Sequence, residues 1–124
     1  SSRPTRILVV EDNDDARESL RMLLELDGHE VMAAVSGEDG LDHARSGDFT
    51  IALVDLGLPG IDGFEVARRL RAMARGTEVR LIAISGYGQP LDRRRAHAAG
   101  FDAHLVKPVD TDHLRSVLAA LTPA

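Results

Sequence analysis

Five polar or charged side chains in this 124-residue chain stand where an apolar run stops. Glu11 and Asp12 follow Arg6 to Val10, Asp55 follows Ile51-Ala52-Leu53-Val54, Ser85 follows Val79 to Ile84, and Lys107 follows Ala103 to Val106. Three carboxylates brought together repel one another and raise at least one pKa. A hard divalent cation removes that conflict, and Mg2+ prefers oxygen ligands and keeps several waters. Three carboxylates, one ammonium and one Mg2+ carry no net formal charge, so such an assembly can accept an anionic phosphoryl group. Asp is a nucleophile for phosphoryl transfer through an aspartyl phosphate. The metal and Lys107 would offset charge on the transferring oxygens, and the Ser85 hydroxyl could donate to one of them.

Each residue also has a plainer reading. Asp commonly opens turns and caps helices. Asp14 and Asp15 are sufficiently explained as acids at a helix N-terminus. Glu11 and Asp12 are not, because they lie at the strand end itself. The argument for chemistry is therefore positional, and it rests on the elements that carry these residues.

The run Ile51 to Val54 is continuously apolar and is followed by Gly57, Pro59, Gly60 and Gly63. That pattern predicts a strand buried on both faces, as in a parallel sheet, with Asp55 at its carboxyl end. Strands are also expected over Arg6 to Val10, Glu30 to Ala34 (weaker), Val79 to Ile84 and Ala103 to Val106. Between them lie helical patterns. Ala16, Leu20, Leu23 and Leu24 form one stripe of a 3.6-residue period, stopped by Gly28. Ser36 and Asp39 resemble a capping box for a helix to about Ser46, which Gly37 and Gly40 weaken. A third helix is expected from about Gly63 to Ala74, with Val66, Ala67, Leu70, Met73 and Ala74 inward. A fourth starts near Pro90 and closes at Gly100. A fifth, capped by Asp110, turns Leu114, Val117, Leu118 and Leu121 inward. Five alternations with short loops predict an α/β fold, a doubly wound, flavodoxin-like five-stranded parallel sheet in order 2-1-3-4-5 with helices on both faces. In that order strands 1 and 3 adjoin where the winding reverses, the place where open α/β sheets bind ligands.

Composition narrows the rest. The length suits one domain, residues 1–124, with residues 1–5 expected as a flexible N-terminal segment. Fifteen basic against 20 acidic residues leave a net charge of −5, which disfavours nucleic-acid binding. Arg68, Arg69, Arg71, Arg75 and the run Arg93-Arg94-Arg95 read as solvated helix faces, the latter also as a docking patch. There is no cysteine, so disulfides and thiolate metal sites are excluded. No apolar run approaches the roughly 20 residues that span a bilayer, and no signal-peptide pattern is visible. A cytoplasmic chain is expected. The chain begins Ser1-Ser2-Arg3-Pro4 without an initiator Met, and the expectation is a domain from a longer protein.

The set Glu11-Asp12, Asp55 with Leu58-Pro59-Gly60-Ile61-Asp62-Gly63, Ser85-Gly86 and Lys107-Pro108 resembles the receiver domain of two-component response regulators. The match covers essentially the whole chain. The resemblance implies that Asp55 is the phosphoacceptor, that Glu11, Asp12 and Asp55 hold Mg2+ with the backbone carbonyl of Gly57, and that Ser85 and Lys107 bind phosphoryl oxygens. It implies a cis bond at Lys107-Pro108. It further implies self-catalysed, Mg-dependent phosphoryl transfer from a phosphohistidine, hydrolysis of the product, and a switched surface made by helix 4, strand 5 and helix 5. The implied partners are a histidine kinase or histidine phosphotransfer domain. The stretches Ser85 to Gln89 and Ala99 to Pro108 look most like receivers of hybrid sensor histidine kinases, which adds the rest of a larger sensor kinase chain as a partner. No direct nucleic-acid or membrane contact is expected.

Two departures bear on mechanism. His104 stands three residues before the lysine, where the family often has a large aromatic, so it reads either as a switch residue or as a half-exposed strand residue. Gly57 replaces a longer side chain, and Tyr87 could shield the site instead. Three other functions fit less well. A non-phosphorylated interaction module has no need of the intact acidic pair, acceptor and lysine. A flavodoxin-like cofactor binder needs a phosphate-cradling loop after strand 1, where this chain has the acidic run Glu11 to Asp15. An Asp-nucleophile phosphatase would need a second Asp near Gly57.

Overall fold

The computed structural model describes residues 5–73, 78–86 and 92–121. Ten elements alternate: β1 Arg6–Val10, α1 Asp14–Leu26, β2 Glu30–Ala34, α2 Gly37–Ser46, β3 Ile51–Asp55, α3 Gly63–Ala72, β4 Arg80–Ser85, α4 Arg93–Ala99, β5 Ala103–Val106 and α5 Thr111–Leu121. All strand pairs are parallel, and the order is β2-β1-β3-β4-β5, as expected. No helix among the described residues is long and apolar enough to cross a membrane.

The period-two geometry of strands sorts the apolar runs into two layers. Leu8, Val10, Ala52, Val54, Leu81 and Ala83 face one core, packed with residues of α2, α3 and α4. Ile7, Val9, Ile51, Leu53, Ile82 and Ile84 face the other, packed with α1 and α5. All five residues of β3 are buried, as a central strand covered by helices requires. Each Val, Leu or Ile among them contributes roughly 1.5–3 kcal/mol on burial. The edge strand β2 is only partly buried, matching its weaker pattern.

Side-chain caps set where the helices begin. Asn13 accepts from the Ala16 N–H at 2.9 Å, with Asp14 and Asp15 in the first turn of α1. Ser36 accepts from the Asp39 N–H at 3.0 Å, and Asp39 accepts from the Val35 N–H at 3.0 Å. Asp62, Asp92 and Asp110 accept from Glu65, Arg95 and His113 N–H groups at the starts of α3, α4 and α5. Gly100, at φ +102°, ends α4 in the left-handed conformation that favours glycine.

Several boundaries differ from expectation. Helix α3 stops at Ala72, with Met73 extended at its end; Ala74 lies outside the described residues. Strand β4 runs one residue further, so Ser85 is its last residue rather than the first of a loop. Helix α4 begins at Arg93 behind the Asp92 cap, and Pro90 lies outside the described residues. On α1 only Leu20 and Leu24 are fully covered, and on α5 only Leu114 and Leu118; Ala16, Leu23, Val117 and Leu121 flank them, partly buried. Thr5, placed in a flexible segment by the sequence reading, is buried and donates its N–H to His29 Nδ1 at 3.3 Å. Residues 1–4 lie outside the described residues.

Arg71 is not part of a solvated face. Its guanidinium donates to the carbonyls of Gly100 and Val79 and to Asp102 Oδ2 at 2.8 Å, while that oxygen also accepts the Leu81 N–H at 2.9 Å. The end of α3 is thereby tied to the start of β4 and the α4–β5 corner.

Gly63 allows α3 to start directly under the β3 end. A Cβ there would lie 2.4 Å from the Asp55 carbonyl oxygen and 2.7 Å from Leu56 Cα, both backbone atoms. Gly63→Ala is therefore expected to lower stability by about 1–3 kcal/mol, the range for overpacking. Gly60→Ala meets no atom but sits at φ +77°, so it loses stability through backbone strain alone. Denaturant unfolding of both, with amide shifts at Leu56 and Gly57, checks this: only Gly63→Ala should displace the β3–α3 turn.

Candidate functional site

The parallel register brings the strand ends level. Val10 pairs with Val54, Asp55 with Ile84, and Ser85 with Val106. Glu11, Asp55, Ser85 and Lys107 thus emerge at one edge of the sheet from four adjoining strands. The Glu11 N–H donates to Ala34 O and the Lys107 N–H to Ser85 O, extending the ladders by one step. The Lys107-Pro108 bond is cis, as expected.

Lys107 crosses the site. Its ammonium donates to Asp55 Oδ2 at 3.1 Å and forms an ion pair with Glu11 Oε1. Asp55 Oδ1 accepts the Gly57 N–H at 2.9 Å. Glu11 Oε2 accepts the Asn13 N–H at 3.1 Å. Glu11 is fully buried, Asp55 is 6% exposed and Ser85 3% exposed, whereas Asp12 is exposed.

These charges do not balance. Three carboxylates face one ammonium. Burial pushes the Glu11 carboxyl above its usual range, Lys107 opposes this, and Asp55 adds to it. Burial pulls Lys107 down, but the hydrogen bonds and charge of Glu11 and Asp55 more than offset it, and its pKa lies above the usual lysine value. Glu11 Oε1 is buried against the Lys107 ammonium, which it shares with Asp55. One oxygen each from Glu11, Asp12 and Asp55 lie within 4.8 Å of one another. Buried carboxylates that share a single ammonium, within an all-oxygen donor set, fit a hard divalent cation. The exposure of Asp12 leaves room for the waters that Mg2+ retains.

Of two basic residues near the site, Arg17 was not singled out in the sequence, and Arg95 was read there only as part of a solvated or docking run. Arg17 donates to the Glu11 carbonyl at 3.0 Å and to Asp14 Oδ1 at 2.5 Å, so it braces the acidic loop from below. Its signal was the i, i+3 spacing from Asp14. Arg95 lies 4.0 Å above the Phe64 ring and 3.2 Å from Asp62 Oδ2, linking α4 to the start of α3. His104 Nε2 lies 3.3 Å from Ser85 Oγ. Tyr87 lies outside the described residues.

Comparison with known proteins points the same way. The family model for the response regulator receiver domain matches residues 7–119. The transcriptional regulatory protein AfsQ1 of Streptomyces coelicolor is 39% identical over 103 residues, covering 83% of this chain and 44% of AfsQ1. The virulence sensor protein BvgS of Bordetella pertussis is 37% identical over 118 residues, covering 91% of this chain and 10% of BvgS. The chain thus spans less than half of these two relatives. Protein PilH of Pseudomonas aeruginosa is 32% identical over 116 residues, covering 94% of this chain and 96% of PilH. Among solved structures, the receiver domain of the sensor histidine kinase PA1611 from Pseudomonas aeruginosa, with a magnesium ion coordinated in its active site cleft, superposes with a TM-score of 0.86. It is 28% identical and covers 96% of this chain and 98% of that one.

The raised Glu11 pKa has a sign. A carboxyl raised in the folded state favours folding below its unfolded value, near 4.5, and loses that advantage as pH rises through the folded value. With a chelator present, wild-type stability is expected to fall across that window. Glu11→Gln should flatten the decline. Urea unfolding at a series of pH values reads the difference.

Proposed function

The chain belongs to the response regulator receiver domain family, and on that premise we propose that Asp55 accepts a phosphoryl group from a phosphohistidine. The observation that carries this is the Lys107 ammonium held between the Asp55 and Glu11 carboxylates at adjoining strand ends. An Asp55 carboxylate oxygen forms the new O–P bond as the donor's P–N bond breaks. The bonding pair stays with the leaving imidazole, which takes a proton from water. Lys107 then follows the charge onto the phosphoryl oxygens, and Ser85 offers its hydroxyl to one of them.

Glu11, Asp12, Asp55 and the carbonyl of Gly57 would hold Mg2+. When bound, the ion supplies charge stabilisation to the transferring phosphoryl group. The buried Glu11 carboxylate, braced by the Asn13 N–H, supports this assignment over one that uses Asp14, because Asp14 is committed to Arg17 and the helix start.

The donor is a histidine kinase or a histidine phosphotransfer domain, and the similarity to part of BvgS supports a place within a larger sensor chain. The signal leaves through α4, β5 and α5. Arg93 and Arg94 are exposed there, and His104 connects that surface to Ser85. Phosphate adds charge and acceptors beside Ser85 and Lys107, and a coupling of about 1–3 kcal/mol is enough to shift a two-state surface 5–150-fold.

Incubation with a small phosphoramidate and Mg2+ should add one phosphate by intact mass. A chelator or Asp55→Asn should abolish the addition. Persistent labelling of Asp55→Asn would move the acceptor elsewhere. Failure of wild type to label or to bind Mg2+ would favour an interaction module that keeps only the fold.

In a magnesium titration, Asp12→Asn is expected to weaken binding several-fold more than Asp14→Asn does. Equal weakening would displace Asp12 from the metal set.

A further inference from the structure

The contact between His104 and Ser85 raises a question of proton direction. Ser85 is buried, and among the described residues His104 Nε2, at 3.3 Å, is the hydrogen-bond neighbour of its hydroxyl. A serine hydroxyl has one proton and two lone pairs, whereas a neutral imidazole has one N–H and one bare nitrogen. A phosphoryl oxygen only accepts. If Ser85 gives its proton to a bare Nε2, it can turn only lone pairs toward a phosphoryl oxygen, and the two repel. If Nε2 carries the hydrogen and donates to Ser85 Oγ, the hydroxyl proton is released for the phosphoryl group. One hydroxyl cannot donate in both directions at once.

We propose that His104 is a positioning residue whose bare Nε2 holds the Ser85 proton in the unphosphorylated domain, and that Nε2 must become the donor before Ser85 can serve a phosphoryl group. The inference rests on Asp55 as the phosphoacceptor. The reversal needs no oxidant or leaving group. Either a proton leaves Nδ1 for water while water protonates Nε2, or one proton is taken up from water to give the imidazolium.

The surroundings support a neutral ring at rest. Besides Ser85 on β4, the charged and titratable groups acting on His104 are Arg93 from α4 and His113 from α5, both cationic when charged. Burial first, then Arg93 and His113, hold the His104 pKa below its usual value. The ring is therefore neutral near pH 7 and has a lone pair to offer. A phosphoryl dianion on Asp55 acts in the opposite sense: it rewards the arrangement in which Ser85 points its proton inward and Nε2–H follows behind. Acid favours that arrangement too, because the imidazolium donates from both nitrogens. This chain is thus expected to keep its Ser85–phosphoryl bond best toward the acidic side of the histidine range.

Nitrogen NMR of the labelled chain tests the proposal directly. In the free protein near neutral pH, the His104 Nε2 signal should be that of an unprotonated, hydrogen-bonded nitrogen. Adding beryllium fluoride with Mg2+ as a phosphoryl mimic should convert it to a protonated one. An Nε2 already protonated in the free protein, or unchanged once the mimic has moved the Asp55 loop amides, overturns the proposal. If those amides never move, the Asp55 reading fails instead, and a second arm that uses no phosphoryl group decides this one. Ser85→Ala removes the donor, so in the free protein near neutral pH the His104 Nε2 signal should move from that of a hydrogen-bonded unprotonated nitrogen to that of an unprotonated nitrogen without a hydrogen bond. An unchanged signal would show that Ser85 does not donate to Nε2. His104→Phe keeps a flat ring without nitrogens. Its phosphoryl lifetime should lose its dependence on pH across the histidine range, and a retained dependence would also overturn the role.

Discussion

The constraint on which this structure turns is electrostatic: a buried carboxylate, Glu11, is held next to a second one, Asp55, by a single lysine ammonium. Such an arrangement is unfavourable without a partner for every charge. It persists because the backbone dictates it. Glu11 and Asp55 end strands whose apolar side chains are locked into two cores, and neither can withdraw without shifting a parallel ladder. In the function proposed, a cation and then a phosphoryl group would offset the cost of holding these charges together.

The supports around that cluster are specific. Gly63 brings the start of α3 against the Asp55 carbonyl, and Gly40 brings α2 onto Val10, where a Cβ would sit 2.7 Å from Val10 Cγ2. The two glycines that weaken helix propensity in α2 are thus explained by close approach, Gly40 to the sheet and Gly37 to Ile61 and to Val66 of α3. On the other side of the site, Arg71 and Arg95 fasten α3 to the α4–β5 corner and to α4 itself. The element expected to respond to phosphate is therefore not loose. It is held by the Arg71 hydrogen bonds to Gly100 and Asp102 and by Arg95 against Phe64 and Asp62.

His104 shows how a departure from a family pattern can be read physically. Losing a phenol or phenyl ring at this place changes more than size. An imidazole can accept, donate or do both, and it stands against the hydroxyl that the phosphoryl group would use.

The sequence alone determined the strands, their order and the identity of the clustered polar residues. Apolar runs ending in Glu11, Asp55 and Lys107 and alternating with helical patterns read as parallel strands, and right-handed crossovers then leave few topologies. Helix starts were legible where a side chain caps its own backbone within three residues, as at Ser36 and Asp110, because that chemistry is local. The tertiary structure decided what depends on distant partners. Arg71 looked like one of several solvated arginines; only the fold places two carbonyls and Asp102 around it, up to 31 residues away in the chain. The split of each helix stripe into buried and flanking residues, the direction of the Glu11 pKa and the meeting of Ser85 with His104 belong to the same class. Each depends on how much water is excluded and which charges are adjacent, quantities that exist only once separate segments have packed.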